Sequence, residues 1–205
     1  MEARRLDWLR DRLLSALHPV LPDTLALPPL PPGKPPQQRH ITIFTFGLQN
    51  WAEVRAAHVE HDMLKRIFKS RGKGDVDIFH DARQFNDRTC TRHIGIHPKI
   101  LQNITWNDSF PGWLESLRAD IVGVFERFSS ITVAFYCRSG THRSVAGAYI
   151  LEYIAKMEGW TTSTQHLCEA QWQRTCRGQC KECSLGNTVR EEALNWAWFR
   201  WQYSR

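Results

Sequence analysis

The stretch Cys137-Arg138-Ser139-Gly140-Thr141-His142-Arg143-Ser144 carries the residue types and spacing that point most directly to chemistry. Gly140 admits backbone conformations that other residues resist, so consecutive amides can turn to one side. A helix beginning at Ser144 would aim its free first-turn amides and positive dipole end at the same spot. Arg143 adds a planar fork matched to phosphate oxygens, and Ser144 a hydroxyl. Together these make a nest for a tetrahedral dianion. The plainer alternative is a tight strand–helix turn that binds nothing, with Arg143 in a surface ion pair.

A second set of reactive groups lies downstream. Cys168, Cys176, Cys180 and Cys183 follow a C-x7-C-x3-C-x2-C pattern, with Gly178 and Gly186 easing the turns. Four thiolates at loop spacings suit a tetrahedral, structural zinc site that fixes a Cys-rich insertion over 166–186. His166 is a substitute ligand, and unligated cysteines or a redox pair are the alternatives. His40, His58, His61, His80, His93 and His97 present no metal-ligand spacing of their own.

The anion loop needs a strand before it and a helix after it, and the sequence supplies both. Ile131 to Tyr136 is an uncharged, β-branched and aromatic run, and Ser144 to Glu158 carries Val145, Ala148, Leu151 and Ile154 at helical spacing. Ile41 to Phe46 and Val76 to Arg83 are two further strands. The latter delivers Asp81 and Arg83 at its C-terminal end as additional ligand candidates. Helical periodicity runs from Trp51 to Lys69 and from Trp113 to Phe128. Strands alternating with helices predict an α/β fold with a mainly parallel sheet, whose ligands bind beyond the carboxyl ends of the strands.

Outside this domain (38–205), residues 1–20 read as an amphipathic helix through Leu6, Leu9, Leu13 and Leu17. Residues 21–37 are a proline-rich linker, since eight of the ten prolines lie between Pro19 and Pro36. The last residues, Trp196 to Tyr203, interleave aromatics with Arg200. They fit a helix packed through Leu194, Trp198 and Trp201, with stacking on nucleobases the alternative.

Composition bounds the partners. Hydrophobic residues are 42% and charged residues 23% of the 205, an ordinary globular balance with no apolar run that would span a membrane. A net charge of +6 favours anionic partners, a phosphorylated small molecule or RNA, with a protein partner the further alternative. Six cysteines without a secretory signal predict a reducing, cytoplasmic setting.

Two family resemblances refine these expectations. Cys-x5-Arg-Ser between strand and helix is similar to the loop of cysteine phosphatases. There the resemblance implies Cys137 as nucleophile, Arg143 as clamp on the transferred phosphoryl group, and Asp108 or Asp81 as acid. Over residues 40 to 166 the chain resembles the C-terminal domain of the RapZ RNase adapter family. The matching residues are Thr45-Phe46-Gly47, Asp81-Ala82-Arg83-Gln84-Phe85-Asn86, loosely Thr91 to Gly95, and above all Cys137 to Val145 with its His-Arg-Ser-Val tetrad. The family's closing His-Arg-Asp is represented by His166-Leu167-Cys168. This resemblance implies binding of an amino-sugar phosphate such as glucosamine-6-phosphate in a sensor or RNA-linked adapter role. Gly140, His142, Arg143 and Ser144 would cradle the phosphate, Asp81 would face the sugar or its amine, and Cys137 and Thr141 would line the pocket. The chain contains no Gly-x4-Gly-Lys-Ser/Thr motif, so no nucleotide is expected.

Overall fold

The structure, a computed structural model, describes residues 38–51, 60–85, 90, 92–184 and 188–203. The expected helix 1–20 and linker 21–37 lie outside them. Four strands form one parallel sheet: β1 (His40–Gly47), β2 (Ile78–Asp81), β3 (Ser130–Cys137) and β4 (Thr161–His166), in the order β2-β3-β1-β4. Helix α1 (His61–Ser70) lies between β1 and β2, while α2 (Pro98–Thr105) and α3 (Phe110–Phe125) lie between β2 and β3. Helix α4 (Arg143–Met157) joins β3 to β4. The chain ends in a 3-10 segment (Glu169–Arg174), the short α5 (Lys181–Ser184) and α6 (Thr188–Tyr203). Among the described residues, no helix is long and apolar enough to cross a membrane.

The strand order dictates where the helices go. From β1 the chain crosses β3 to reach β2, then reverses direction for β3 and β4. Parallel crossovers are right-handed, so a reversal sends the connecting helices to opposite faces. Period-two alternation matches this arrangement. Phe44, Phe46, Phe79, Ala134 and Tyr136 face α1 and bury Leu64, Ile67 and Phe68. Ile41, Ile43, Ile78, Val133 and Phe135 point the other way and pack with α2, α3, α4 and α6. That face is closed by Trp113, Phe125, Leu151, Ala197 and Trp201.

Because β1 sends its connection to one face and the adjacent β3 to the other, their carboxyl ends form the switch point of the sheet. Gly47 and Cys137 are register partners at that point. Asp81 pairs with Tyr136 on one flank, and Thr45 with His166 on the other. The four strands thus deliver Gly47, Asp81, Cys137 and His166 to one edge.

Sequence and structure differ at several elements, and β2 is shorter than the expected Val76–Arg83 strand. β4 was not expected: its sequence, TTSTQH, is polar and its residues alternate between exposed and half-buried, as an edge strand permits. Helix α3 begins at Phe110 rather than Trp113, with Pro111 set at its start, where a missing amide costs nothing. Helix α1 is described from His61 onward, and residues 52–59 of the expected Trp51–Lys69 helix lie outside the described residues.

Candidate anion loop and metal centre

Residues 137–142 leave β3 and close onto the first turn of α4. Each of four successive carbonyls in this loop is held by a donor from outside it. The Arg138 oxygen accepts from the Gln49 amide at 3.0 Å, and the Ser139 oxygen from Asn50 Nδ2 at 2.9 Å. The Gly140 oxygen accepts from Trp172 Nε1 at 3.3 Å, and the Thr141 oxygen from the Gly95 amide at 3.1 Å. In a trans peptide, the N–H of the next residue points away from the carbonyl. The amides of Ser139, Gly140, Thr141 and His142 are therefore directed opposite to those four donors. For Gly140 the target is visible: it donates to Cys137 Sγ at 3.2 Å, at the floor of the loop. Among the described residues, the amides of Arg138, Ser139 and Thr141 have no protein acceptor.

Two glycines make this path possible. Gly140 sits at φ +76°, a region that side chains disfavour. Gly47 crosses it so closely that a Cβ there would lie 2.2 Å from the Ser139 carbonyl carbon. The loop floor is buried: Cys137 Sγ lies 3.3 Å from Ser144 Oγ, and both residues are almost wholly inaccessible. Arg143 is anchored at one end, Nη1 donating to the carbonyls of Arg83 (2.7 Å) and Phe85 (2.9 Å). That leaves its Nε and Nη2 edge for another acceptor.

The structure brings Asp81 and Arg83 to this loop, since the backbone of Arg83 receives Arg143. They also engage each other. Asp81 accepts from the Arg83 amide, Nε and Nη2 at 2.6–3.0 Å, and both side chains are over a third exposed. This contact raises the Arg83 pKa above its usual value. Tyr136, beneath the Arg83 guanidinium, has its phenol pushed up to about 12 by burial first and by the Asp81 charge second. The Arg138 guanidinium is engaged by Gln49: with the Gln49 amide oriented to match, Gln49 Oε1 accepts from Arg138 Nε at 2.7 Å and Nη2 at 3.2 Å. Asp108 is not brought to the loop. It lines a separate cleft of about 660 Å³ with Trp106, Pro111, Glu192 and Trp196.

The second cluster differs from expectation in one ligand. Cys176, Cys180 and Cys183 converge, but Cys168 does not join them. The end of β4 carries Cys168 to the 137–142 loop instead, where it is buried and its Sγ accepts from the Gly47 amide (3.3 Å) and Asn50 Nδ2 (3.2 Å). His166, the expected substitute, is also elsewhere, with Nδ1 2.8 Å from Thr45 Oγ1 and a pKa lowered by burial. The fourth position is filled by His93. Its Nδ1 lies 3.5, 3.4 and 3.7 Å from the sulfurs of Cys176, Cys180 and Cys183, and Cys176 Sγ is 3.7 Å from Cys183 Sγ. These four ligand atoms are positioned to hold a metal ion.

The cluster's surroundings favour that role. The backbone joins its two halves where the Cys176 amide donates to the Arg92 oxygen at 2.8 Å. Burial opposes ionisation of Cys176. The Gly178 amide and the neighbouring Cys180, Cys183 and His93 outweigh it and draw the pKa down to about 7. Burial and the adjoining thiols push Cys183 up. Three thiols this close cannot all ionise without a cation among them. Glu182 adds an outer contact: it accepts from His97 Nε2 at 2.9 Å and lies 3.8 Å from His93 Nε2. A metal-bound histidine commonly directs its second nitrogen toward such a carboxylate.

His93 was missed because its signal is not local; it stands 83 residues from Cys176. No protein-family model and no curated protein matches the chain.

Proposed function

We propose that the loop 137–144 binds the phosphate of a phosphorylated small molecule, with an amino-sugar phosphate as the class implied by the resemblance to the RapZ C-terminal domain. The observation that carries this reading is the set of four outward-held carbonyls, 138 to 141, which turn the next four amides to the other side. A tetrahedral oxyanion seated there would meet the amides of Ser139 and Thr141, the first turn of α4 and the free edge of Arg143, and would share the Gly140 amide with Cys137 Sγ. Asp81, at the adjacent strand end, supplies the carboxylate that an ammonium group on the sugar would seek. Both Asp81 oxygens accept from Arg83 in this structure, so an ammonium group there would share or displace those contacts.

Binding is favoured over hydrolysis. Cys137 lies at the loop floor as a phosphatase nucleophile would, but a phosphatase also needs a proton donor for the leaving group. Both Asp81 oxygens already accept from Arg83, and Asp108 faces another cleft. Calorimetric titration separates the readings. A binding module takes up glucosamine-6-phosphate, not glucosamine, retains uptake in Cys137→Ser and loses it in Arg143→Ala. A phosphatase instead turns over a generic aryl phosphate and loses that turnover in Cys137→Ser.

We further propose that the metal is zinc, in a structural role. A tetrahedral zinc ion spaces two sulfur ligands about 3.8 Å apart, and a sulfur and a nitrogen about 3.5 Å apart, from its ordinary bond lengths. The observed 3.7 Å and 3.4–3.7 Å separations fit this. An iron–sulfur cluster spreads its thiolates much wider. His93, Cys176, Cys180 and Cys183 would fill all four positions, leaving none for a reacting water. Zinc would supply the cross-link that a thin core cannot: among the described residues, the small cluster under this insertion buries Ile94, Val145 and Trp172, with Ile96 packed against them.

A further inference from the structure

We infer that Trp172 and Gly95 are positioning residues through which the metal centre sets the anion affinity of the loop; this rests on the anion-binding and metal readings above. Two of the four donors that hold the loop carbonyls belong to the segments that carry the metal ligands. Gly95, two residues after His93, donates to the Thr141 oxygen at 3.1 Å. Trp172, four residues before Cys176, donates through Nε1 to the Gly140 oxygen at 3.3 Å. The orientation of the Thr141 and His142 amides therefore depends on where the metal-bearing segments lie.

The contact is close on both sides. A Cβ on Gly95 would lie 2.2 Å from the His142 oxygen and 2.3 Å from the Ala146 amide nitrogen, so the His93–His97 segment rests directly on the first turn of α4. Ile94, Val145 and Trp172 fill the space between. Gly178, at φ +80°, is in turn packed on Ile94 and Ile96, where a Cβ would come within 2.8 Å of Ile96 Cδ1. With the metal bound, His93 and Cys176 are tied to one point, and the segments bearing Gly95 and Trp172 are held with them. With the metal removed, the link between those segments rests on the Cys176–Arg92 backbone bond, the His97–Glu182 contact and apolar packing through Ile94, Ile96, Val145 and Trp172. The two carbonyls then lose fixed donors, and their peptide planes are free to rotate away from the anion.

The test uses the full chain loaded with zinc, the same protein stripped by a chelator, and Trp172→Phe with zinc retained. Inorganic phosphate is titrated into each by calorimetry, with amide hydrogen exchange at Thr141 and His142 followed in parallel. Stripping is expected to weaken phosphate binding about tenfold, two hydrogen bonds' worth, and to speed exchange at both amides. Trp172→Phe, which keeps an aromatic ring but not the indole donor, is expected to lose about threefold at unchanged zinc content. Equal phosphate affinity in loaded and stripped protein overturns the inference and leaves the loop reading standing. Should stripping unfold the chain, Trp172→Phe decides alone, and wild-type phosphate affinity in it overturns the inference. A zinc-loaded wild type that takes up no phosphate overturns the loop reading itself, and this inference with it.

Discussion

Gly47 and Gly140 cross with their α-carbons bare against each other. A Cβ on Gly47 would lie 2.5 Å from the Gly140 amide nitrogen, and one on Gly140 2.6 Å from the Gly47 amide nitrogen. The crossing joins the ends of β1 and β3, so it sets the height of the anion loop above the sheet. Gly47→Ala and Gly140→Ala are each expected to destabilise the fold by about 2 kcal/mol or more, from backbone overlap that cannot relax as a side chain can. Gly140→Ala adds a left-handed φ penalty of about 1 kcal/mol. Urea unfolding midpoints at unchanged slope measure both; a midpoint like wild type would refute the crossing.

The metal ligand set makes a sharp prediction about cysteines. Zinc content by elemental analysis is expected to stay at one per chain in Cys168→Ala and to fall to near zero in Cys180→Ser and His93→Ala. Loss of zinc in Cys168→Ala would return that residue to the ligand set.

Arg143 is predicted to tolerate no conservative change. One end of its guanidinium is fixed by the Arg83 and Phe85 carbonyls, which leaves the other edge aimed by geometry. Lysine has one ammonium and cannot do both. Arg143→Lys is expected to lose at least about tenfold in phosphosugar affinity, the worth of a charge-assisted contact. Wild-type titration by calorimetry in that variant would show that the edge is not used.

Acid sensitivity follows from His80. Burial lowers its pKa below 6.5, while its Nε2 donates to the Trp113 oxygen at 3.0 Å. The unfolded chain therefore takes up this proton first. The stabilisation is complete above about pH 6.5 and is lost as pH falls through the lowered folded value. Unfolding free energy is expected to decline between pH 7 and 5, and less steeply in His80→Gln, which does not titrate there. Identical slopes would place the acid sensitivity elsewhere.

The elements nearest the anion loop were legible because their signals are local. Ile131 to Tyr136 is buried on both sides, and buried strands read as unbroken apolar runs. Ser144 to Glu158 differs from α4 by one residue at each end. What was not legible depends on pairing across long separations. β4 is polar because it lies at the sheet edge, so its strand character comes from its ladder with β1 rather than from its own composition. Linear spacing grouped Cys168 with the other thiols, whereas the end of β4 takes it to the loop. His93 offers a single imidazole whose partners are brought in only by the insertion. In α6 the expected inward residues, Leu194 and Trp201, are buried and Trp198 packs beside them, while Trp196, Phe199 and Tyr203 lie exposed, Trp196 stacked on Phe199 and Phe199 tilted against Tyr203.

The most direct test of the central claim is a two-dimensional amide NMR titration of the zinc-loaded chain with glucosamine-6-phosphate, with glucosamine as control. Saturable shifts are expected at the amides of Ser139 to Ser144 and at Arg143 Nε with the phosphorylated sugar, and none of these with glucosamine. Shifts confined to other surfaces, or loop shifts of equal size with the unphosphorylated sugar, would contradict it.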